Sequence, residues 1–196
     1  MQMSKSYIIL KRLTDILVAA IGLLLAFPIL IVTAMLVYLE TPGPVLYKQE
    51  RLGKDGKEFE MYKIRSMYLD AEKNGAVWAS DADDRITKVG SFIRRTRIDE
   101  IPQLLNIIIG DMSLVGPRPE RAVFYNEFEK NISNFRDRLA DKPGLSGWAQ
   151  INGGYDLTPS EKLSFDLWYI EHANLVLDIK ILLKTIGVII SGDGAR

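Results

Sequence analysis

The sequence contains no cysteine, which excludes a disulfide framework, a zinc site with thiolate ligands and a cysteine nucleophile. Histidine is nearly absent as well, because His172 is the one residue of this type. A single imidazole cannot build a metal site of several histidines. An enzyme made from this sequence would therefore depend mainly on carboxylates and on the cationic side chains of lysine and arginine.

An excess of charge of either sign is also missing, since 25 Lys and Arg residues balance 25 Asp and Glu residues. A general nucleic-acid-binding domain would carry a basic excess, so the balance argues against nucleic acid as a partner. The 196 residues are enough for one domain with a substantial core and too few for two.

One long apolar run occupies residues 16–39 and contains no charged residue. As a straight helix it would measure about 36 Å, enough to cross a hydrocarbon core of about 30 Å. The run is longer than the apolar region of a signal peptide and is not followed by a small-residue cleavage site. We therefore predict a membrane-inserted segment, residues 1–40, and a cytosolic domain, residues 41–196, packed on the membrane surface.

Pro28 lies in the middle of the apolar run and leaves its topology open. Because proline removes a helical hydrogen bond, Pro28 predicts a break in the helix. Basic residues flank both ends, with Lys11 and Arg12 before the run and Lys48 and Arg51 after it, so the positive-inside rule gives no orientation. The tolerance of membrane helices for proline favours a single kinked span. A helix that returns to the same face would account for both basic flanks.

The rest of the sequence predicts an α+β fold that is mostly helical, with a small β-hairpin. Two strand-like runs within residues 45–67 flank Asp55 and Gly56, a strong hairpin-turn signal. Residues 158–161 have the sequence Thr-Pro-Ser-Glu, a capping box that opens a helix. The apolar tail, residues 175–190, predicts a helix that is either buried or amphipathic and interfacial.

Two further segments are predicted from proline and turn residues. Pro119 is expected to open a helix that continues to about Arg138. Residues 141–154 are rich in turn formers and predict a structured loop. Polar residues 70–90 predict another loop, and its acidic stretch, residues 80–85, is a weaker candidate for metal binding than for a solvated loop.

Pro102 suits only the first turn of a helix, so a helix is expected to begin within three residues before it and to end at Gly110. This places Asp99 and Glu100 at a helix N-terminus, where the partial positive charge and nearby arginines should lower the pKa of Asp99 from about 3.9. An ionised carboxylate can attack phosphorus. The two acids could also hold Mg²⁺, which prefers oxygen ligands. A simpler alternative is an ordinary acidic first turn.

Arginines accompany this acidic pair. Arg118 lies between two prolines that restrict its backbone, and a guanidinium held in this way suits bidentate recognition of phosphate. Arg94, Arg95 and Arg97 could contact a diphosphate or anionic lipid headgroups. The segment therefore suggests a site for phosphate chemistry next to a membrane.

Three motifs follow the proline-containing apolar run in order: RRTRIDEIPQLLNIIIGDMSLVGPRPE, KPGLSGWAQING and FDLWYIEHANLVLDIKIL. Together they resemble the bacterial sugar transferases called monotopic phosphoglycosyl transferases, over nearly the whole chain. Larger members of that family carry additional N-terminal membrane helices and a further domain, so we expect this chain to be the minimal catalytic form.

The resemblance implies transfer of a sugar 1-phosphate from a UDP-sugar to a polyprenol phosphate, usually undecaprenyl phosphate, with UMP as the second product and Mg²⁺ as cofactor. Asp99 would attack the β-phosphate and form a covalent phosphosugar intermediate, and Glu100 would assist. Both members of this dyad would also be near the metal. The other positions that match residues important in the family are Lys63, Arg118, Asp166 and Asp178, to which Arg94 is added as a phosphate-binding candidate.

In the family the N-terminal helix is re-entrant, with both ends in the cytosol, and this implication reverses the preference for a span. It places the chain on the cytoplasmic face of the bacterial inner membrane, in contact with membrane lipids, and it allows a homodimer. Two alternatives stay open, namely a magnesium-dependent nucleotide-sugar hydrolase and a membrane-anchored module without enzymatic activity. The sugar is not identified by any residue.

Overall fold

The computed structural model describes residues 4–73 and 83–191. The helices are α1 Lys5–Glu40, α2 Lys88–Arg95, α3 Gln103–Ile109, α4 Ala122–Phe128, α5 Trp148–Ile151, α6 Pro159–His172 and α7 Leu175–Ser191. The strands are β1 Leu46–Leu52, β2 Glu58–Ile64, β3 Ser113–Val115 and β4 Gly144–Ser146. Helices dominate, so the predicted mostly helical fold with a small hairpin is confirmed.

The hairpin of β1 and β2 forms at the predicted place. The strands pair antiparallel from Leu46 opposite Ile64 to Leu52 opposite Glu58. Asp55 lies in the turn with a φ of 57°, a left-handed conformation that aspartate tolerates better than most residues. The hairpin supplies the strand that carries Lys63.

Helix α3 is fastened to this hairpin by a buried asparagine. The Asn106 side chain donates to the carbonyl of Glu60 at 2.7 Å and accepts from the backbone N–H of Tyr62 at 3.0 Å. Because both the nitrogen and the oxygen of this amide are hydrogen-bonded to β2, the side chain fixes the position of α3 relative to that strand. Because α3 directly follows Asp99 and Glu100, this contact also positions the acidic pair beside β2.

The start of α3 differs from the prediction, whereas its end agrees with it. Pro102 occupies the cap position and the α-helix begins at Gln103, while Ile98–Glu100 form a separate 3₁₀ turn. The predicted placement of the two acids in the first turn of the α-helix is therefore wrong. Gly110, with a φ of 111°, ends the helix as expected.

The helix predicted from Pro119 to Arg138 is also wrong. Helix α4 covers only Ala122–Phe128, and a 3₁₀ helix follows at Phe135–Ala140. Asn134 separates them with a φ of 62°, a left-handed conformation that a continuous α-helix cannot contain.

A short parallel pair joins two segments that the sequence predicted as a turn and a loop. Strand β3 pairs with β4, with Ser113 opposite Gly144 and Val115 opposite Ser146. This pair brings the turn that contains Arg118 next to the segment around Pro143. Three-residue strands give too short an apolar pattern to be recognised in a sequence.

Helices α6 and α7 form as the sequence predicted. The Thr158 hydroxyl accepts from the Glu161 N–H, and the Glu161 carboxylate accepts from the Thr158 N–H at 2.8 Å, which completes the capping box. The main core then gathers residues from α1, α3, β3, α6 and α7. Its fully buried members include Ala19, Ile107, Tyr169 and Ile181.

Helix α1 continues through Pro28 over 36 residues, so the predicted break is not observed. A proline costs one hydrogen bond and bends a helix, and an apolar helix can tolerate this loss. Among the residues that the structure covers, α1 is the one helix long and apolar enough to cross a membrane. Most of its large apolar side chains are exposed.

Both ends of α1 are nevertheless attached to the same domain. Near the N-terminal end, Arg12 donates to the carbonyls of Ile107 and Ile108 at 2.6 and 2.8 Å, where α3 ends. At the C-terminal end, Glu40 accepts from the first two backbone N–H groups of α2 at 2.8 and 2.9 Å. The helix therefore lies along the domain, with contacts on both sides of Pro28.

The predicted loop of residues 70–90 lies only partly in the described ranges, because residues 74–82 are outside them. Within its acidic stretch, the Asp83 carboxylate forms an ion pair with Arg85 at 2.5 Å. This pairing favours a self-contained turn over the weaker alternative of metal binding.

Candidate active site

The acidic pair lies on the 3₁₀ turn Ile98–Glu100, which packs between β2 and α2. Arg97 opens the turn with a φ of 59°, and Ile98 packs against the apolar cluster of Val37, Ile64 and Ile93. The turn is therefore anchored by one partly buried side chain, while the next two residues, Asp99 and Glu100, face the site. Asp99 is 6% exposed and Glu100 9%.

Three cations surround the Glu100 carboxylate. Lys63 Nζ lies 3.2 Å from Oε1, Arg118 forms a close hydrogen bond to the same oxygen, and Arg97 lies 4.0 Å from Oε2. Burial raises the pKa of Glu100, but these charges, led by that of Arg118, outweigh it and hold the pKa well below its ordinary range. Glu100 is therefore a permanent anion that organises the cations around it.

Asp99 has a different environment. Its Oδ2 lies 3.9 Å from Lys63 Nζ. Burial raises the pKa of Asp99 to about 6, because the opposing charge of Lys63 is partly offset by the neighbouring Glu100 carboxylate. The predicted lowering of this pKa is therefore wrong: desolvation outweighs the arginines, and no α-helix begins at Asp99. At neutral pH the carboxylate is still mostly ionised.

A cavity of about 340 Å³ opens beside the pair. Five of the seven residues predicted for the site line it, and these are Lys63, Arg94, Asp99, Glu100 and Arg118. Further arginines and the aromatic rings of Tyr47, Tyr68 and Phe124 complete the wall. A concave site with this excess of guanidinium groups suits an anionic ligand that also carries a ring.

Arg94 reaches the cavity because α2 packs very closely on the end of β2. A Cβ atom added at Gly90 would lie 1.9 Å from the carbonyl oxygen of Ser66, so a side chain there would force the helix away. The charge of Arg94 also lowers the pKa of Asp99. Arg94 therefore lies on the cavity wall, and its contact with phosphate stays a prediction.

Arg118 is held from behind by a buried ion pair. Arg138 donates to the Arg118 carbonyl at 3.1 Å and pairs with Asp166 at 2.5 Å. The side chains of Arg138 and Asp166 are 2% and 1% exposed. Asp166 therefore does not line the cavity, and its predicted contact with phosphate is replaced by a positioning contact through Arg138.

Asp178 is also remote from the cavity. Its carboxylate accepts from Lys11 and Tyr7 at 3.0 Å each and from Tyr169 at 2.6 Å. Lys11 in turn donates to the Val115 carbonyl at 2.9 Å. Asp178 thus fastens α1 to α6, α7 and β3 instead of binding phosphate.

Comparison with known proteins decides the family. Residues 6–192 match the family described as bacterial sugar transferase. The chain belongs to this family. That membership confirms the resemblance drawn from the three sequence motifs.

Several relatives carry functional names. The chain is 45% identical over 98% of its length to an Aeromonas hydrophila UDP-N-acetylgalactosamine-undecaprenyl-phosphate N-acetylgalactosaminephosphotransferase, of which it covers 46%. It is 41% identical over 91% of its length to the UDP-glucose:undecaprenyl-phosphate glucose-1-phosphate transferase of Escherichia coli, of which it covers 39%. An exopolysaccharide production protein of Rhizobium leguminosarum is 37% identical and is covered to 94%. The chain thus spans less than half the length of the Aeromonas hydrophila and Escherichia coli relatives.

The donor groups of this sugar transferase fit a magnesium ion. Mg²⁺ is commonly bound through one or two carboxylates together with substrate phosphates. Groups of three or more acidic or histidine side chains that could hold a metal do not occur in the part of the chain that the structure covers. Asp99 lies on the cavity wall, whereas the oxygens of Glu100 already accept from cations. A magnesium ion would therefore be held mainly by Asp99 and by phosphate oxygens.

Arg138 was missed by the sequence analysis, where it marked only the end of a helix. Lys11 was likewise noted only as a flank of the apolar run. Both residues act through contacts with residues far away in the chain, and no local pattern indicates such contacts. Arg97 was recognised as part of a basic group, but its left-handed backbone, which turns the acidic pair inward, has no sequence signal.

Proposed function

We propose that this chain transfers a sugar 1-phosphate from a UDP-sugar to undecaprenyl phosphate and releases UMP. The observation that carries the proposal is a buried carboxylate, Asp99, on the wall of a cationic cavity with Lys63, Arg94 and Arg118. The names of two relatives agree on this acceptor and this type of reaction.

In the first step an Asp99 carboxylate oxygen attacks the β-phosphorus of the UDP-sugar. A new P–O bond forms to Asp99 while the bond to the oxygen bridging the two phosphates breaks, and UMP leaves with that electron pair. Lys63 and Arg118 face the charge that accumulates on the phosphate oxygens and are held there by Glu100. The role of Glu100 in this proposal is therefore electrostatic.

In the second step an oxygen of the lipid phosphate attacks the same phosphorus. The bond to Asp99 breaks, the carboxylate is restored, and the product is a polyprenyl diphosphate sugar. When bound, Mg²⁺ supplies positive charge that reduces the repulsion between carboxylate and phosphate. The site must then admit two anionic substrates in turn, which its ring of cations supports.

For α1 we propose a re-entrant arrangement, with both ends on the cytoplasmic side of the inner membrane. The attachment of Arg12 and of Glu40 to the same domain supports it, because a single span would separate these two residues by the bilayer. The apolar residues exposed on α7 support an interfacial position for that helix, next to membrane lipids. The homodimer stays a prediction.

Release of UMP tests the proposed reaction. The chain, reconstituted in lipid nanodiscs with Mg²⁺, is offered a panel of UDP-sugars that includes the N-acetylgalactosamine and glucose forms named in its relatives. We expect continuous UMP release only with undecaprenyl phosphate, and sugar label in the lipid fraction. Continuous release without lipid would show a nucleotide-sugar hydrolase, and no release under any condition would show a non-enzymatic module.

A further inference from the structure

A second cavity, of about 540 Å³, adjoins the first. Arg97, Glu100 and Arg118 line both cavities, so the ion cluster of the active site forms their common wall. Beyond this wall the lining contains polar side chains, among them Glu120, Arg138, Gln150, Asp156 and Lys162, and a larger apolar share. Its apolar lining includes Ile101, Leu104, Leu145, Ala149, Leu182 and Ile189.

This distribution of charge matches one class of ligand. The charged end presents two guanidinium groups, from Arg97 and Arg118, to a phosphate. The apolar part of the lining suits a hydrocarbon chain, which has no hydrogen bonds to water to lose on burial. An amphiphile with a phosphate at one end and a hydrocarbon chain at the other satisfies both ends.

The location of the cavity also favours a lipid. Helix α7 supplies part of its wall through Leu182 and Ile189. The same helix carries exposed apolar side chains on another side, with Val176 76%, Leu183 65% and Ile186 55% exposed. A hydrocarbon chain could therefore pass from the acyl region around α7 along this helix into the cavity.

We propose that this second cavity binds the phosphate end of the prenyl acceptor, with its first isoprene units against Leu145 and Leu182 and its phosphate at Arg118. The inference rests on the proposed function and assigns the two substrates to separate chambers. The volume is in the range of about 300–1,000 Å³ that ligand pockets occupy, so only part of a long prenyl chain is enclosed. The UDP-sugar occupies the first cavity, and the two substrates meet at Arg97, Glu100 and Arg118, which line both cavities.

Separate measurement of the two half-reactions tests this assignment. Leu182→Gln and Leu145→Gln place an amide in the apolar lining from two different elements, and Val123→Gln, at an exposed apolar residue of α4 outside both cavities, is the control. Formation of the covalent adduct from UDP-sugar is timed without lipid. Transfer is then timed against the concentration of undecaprenyl phosphate in detergent micelles.

We expect the KM for undecaprenyl phosphate to rise about tenfold in both lining variants, as the loss of a buried apolar contact predicts. Adduct formation should stay within about twofold of the unsubstituted chain, which also shows that the variants are folded. Val123→Gln should change neither quantity.

Two results would overturn the assignment: an equal rise of the lipid KM in Val123→Gln, or slowing of adduct formation in the lining variants as large as the slowing of transfer. Failure of the proposed function is a different outcome, since the unsubstituted chain would then form no adduct.

Discussion

Asp99 and Glu100 are adjacent in the chain, yet their surroundings move their pKa values in opposite directions. Glu100 lies among three cations, whereas Asp99 lies 3.9 Å from Lys63 and is dominated by burial. Two carboxyl groups with separated pKa values can take separate roles. In the proposed reaction, Glu100 orders the cations and Asp99 is the reactive group.

The rate of adduct formation should depend on the ionisation of Asp99. With a pKa of about 6, the rate is expected to be constant above pH 7 and to fall about tenfold per pH unit well below pH 6. Lys63→Met removes a charge that lowers the pKa of Asp99. In this variant the fall of the rate at acidic pH should therefore begin at a higher pH. Lys48→Met, on the facing strand and exposed to solvent, is the control. If the rate of adduct formation in Lys63→Met fell at the same pH as in the unsubstituted chain, the electrostatic account would be contradicted.

Stability should respond to the two acids with opposite signs. Because the pKa of Asp99 is raised in the folded state, ionisation of Asp99 lowers the free energy of unfolding. This loss of stability is absent below about pH 3.8 and complete above about pH 6. Asp99→Asn should therefore stabilise the fold at pH 7.5, by about 3 kcal/mol at most, and have no such effect near pH 4. Glu100, whose pKa is lowered, contributes stability at every pH above its ordinary value, so Glu100→Gln should destabilise at pH 7.5.

Thermal unfolding in detergent with EDTA, at pH 4 and pH 7.5, measures both effects. Asp111→Asn, a change of the same kind outside the cavity lining, serves as the control. If Asp99→Asn and Glu100→Gln changed the unfolding temperature in the same direction at pH 7.5, the opposite pKa shifts would be refuted.

Among the elements, the turn after β3 has the most direct link to the site. Its Arg118 lies between two prolines, pairs with Glu100, and is held at its carbonyl by Arg138. Asp166 on α6 forms an ion pair with the buried guanidinium of Arg138 and keeps that group in place. The position of one phosphate-binding side chain therefore depends on an ion pair behind it.

Breaking this ion pair should be costly, and replacing both partners should cost less. Asp166→Leu leaves a buried guanidinium unpaired and should destabilise the fold by about 3–5 kcal/mol, as should Arg138→Met with its unpaired carboxylate. The double variant restores an apolar pair and should be more stable than either single variant. Chemical denaturation of the four proteins checks this; additive losses would argue against a coupled pair.

Element by element, the sequence predicted the features with local signals. The Asp55-Gly56 turn, the Thr158 capping box and the end of α3 at Gly110 depend on residues within a few positions of each other, and all three are confirmed. The parallel pair of β3 and β4 depends on segments distant in the chain, so it could not be predicted. The Pro102 pattern located the acidic pair but could not distinguish a 3₁₀ turn from an α-helix.

At the site, chemical type was more predictable than contact. Lys63, Arg94 and Arg118 were predicted as site residues, and all three line the cavity. They could be predicted because residue types that bind phosphate are visible in a sequence. Asp166 and Asp178 were assigned to phosphate by resemblance, and the structure pairs each with a cation elsewhere. A sequence shows which acids are present, but not which of them are already neutralised by a distant partner.

For the whole molecule, the decisive feature is that α1 packs along the domain and is attached to it at both ends. Lys11 and Arg12 fasten one end and Glu40 the other, while the face turned away from the domain is apolar. Such a helix can enter a bilayer only with the domain beside it. In the proposed re-entrant arrangement, the active site would lie at the depth of lipid headgroups, where a lipid phosphate is found.

The topology has a direct test, because the absence of native cysteine makes introduced thiols unambiguous. Lys5→Cys and Asp55→Cys report on the two sides of α1. Both thiols should be protected from a membrane-impermeant maleimide in spheroplasts and react after lysis. Reaction of Lys5→Cys alone in unlysed spheroplasts would restore the single span.

The central claim is that Asp99 carries the sugar phosphate between its two substrates, and intact-protein mass spectrometry tests it most directly. The purified chain is mixed with Mg²⁺ and its preferred UDP-sugar in the absence of lipid. The account predicts one added sugar phosphate per chain, located on the peptide that contains Asp99, lost on addition of undecaprenyl phosphate and never formed in Asp99→Asn. Transfer that proceeds with no such adduct, or an adduct that persists in Asp99→Asn, would contradict it.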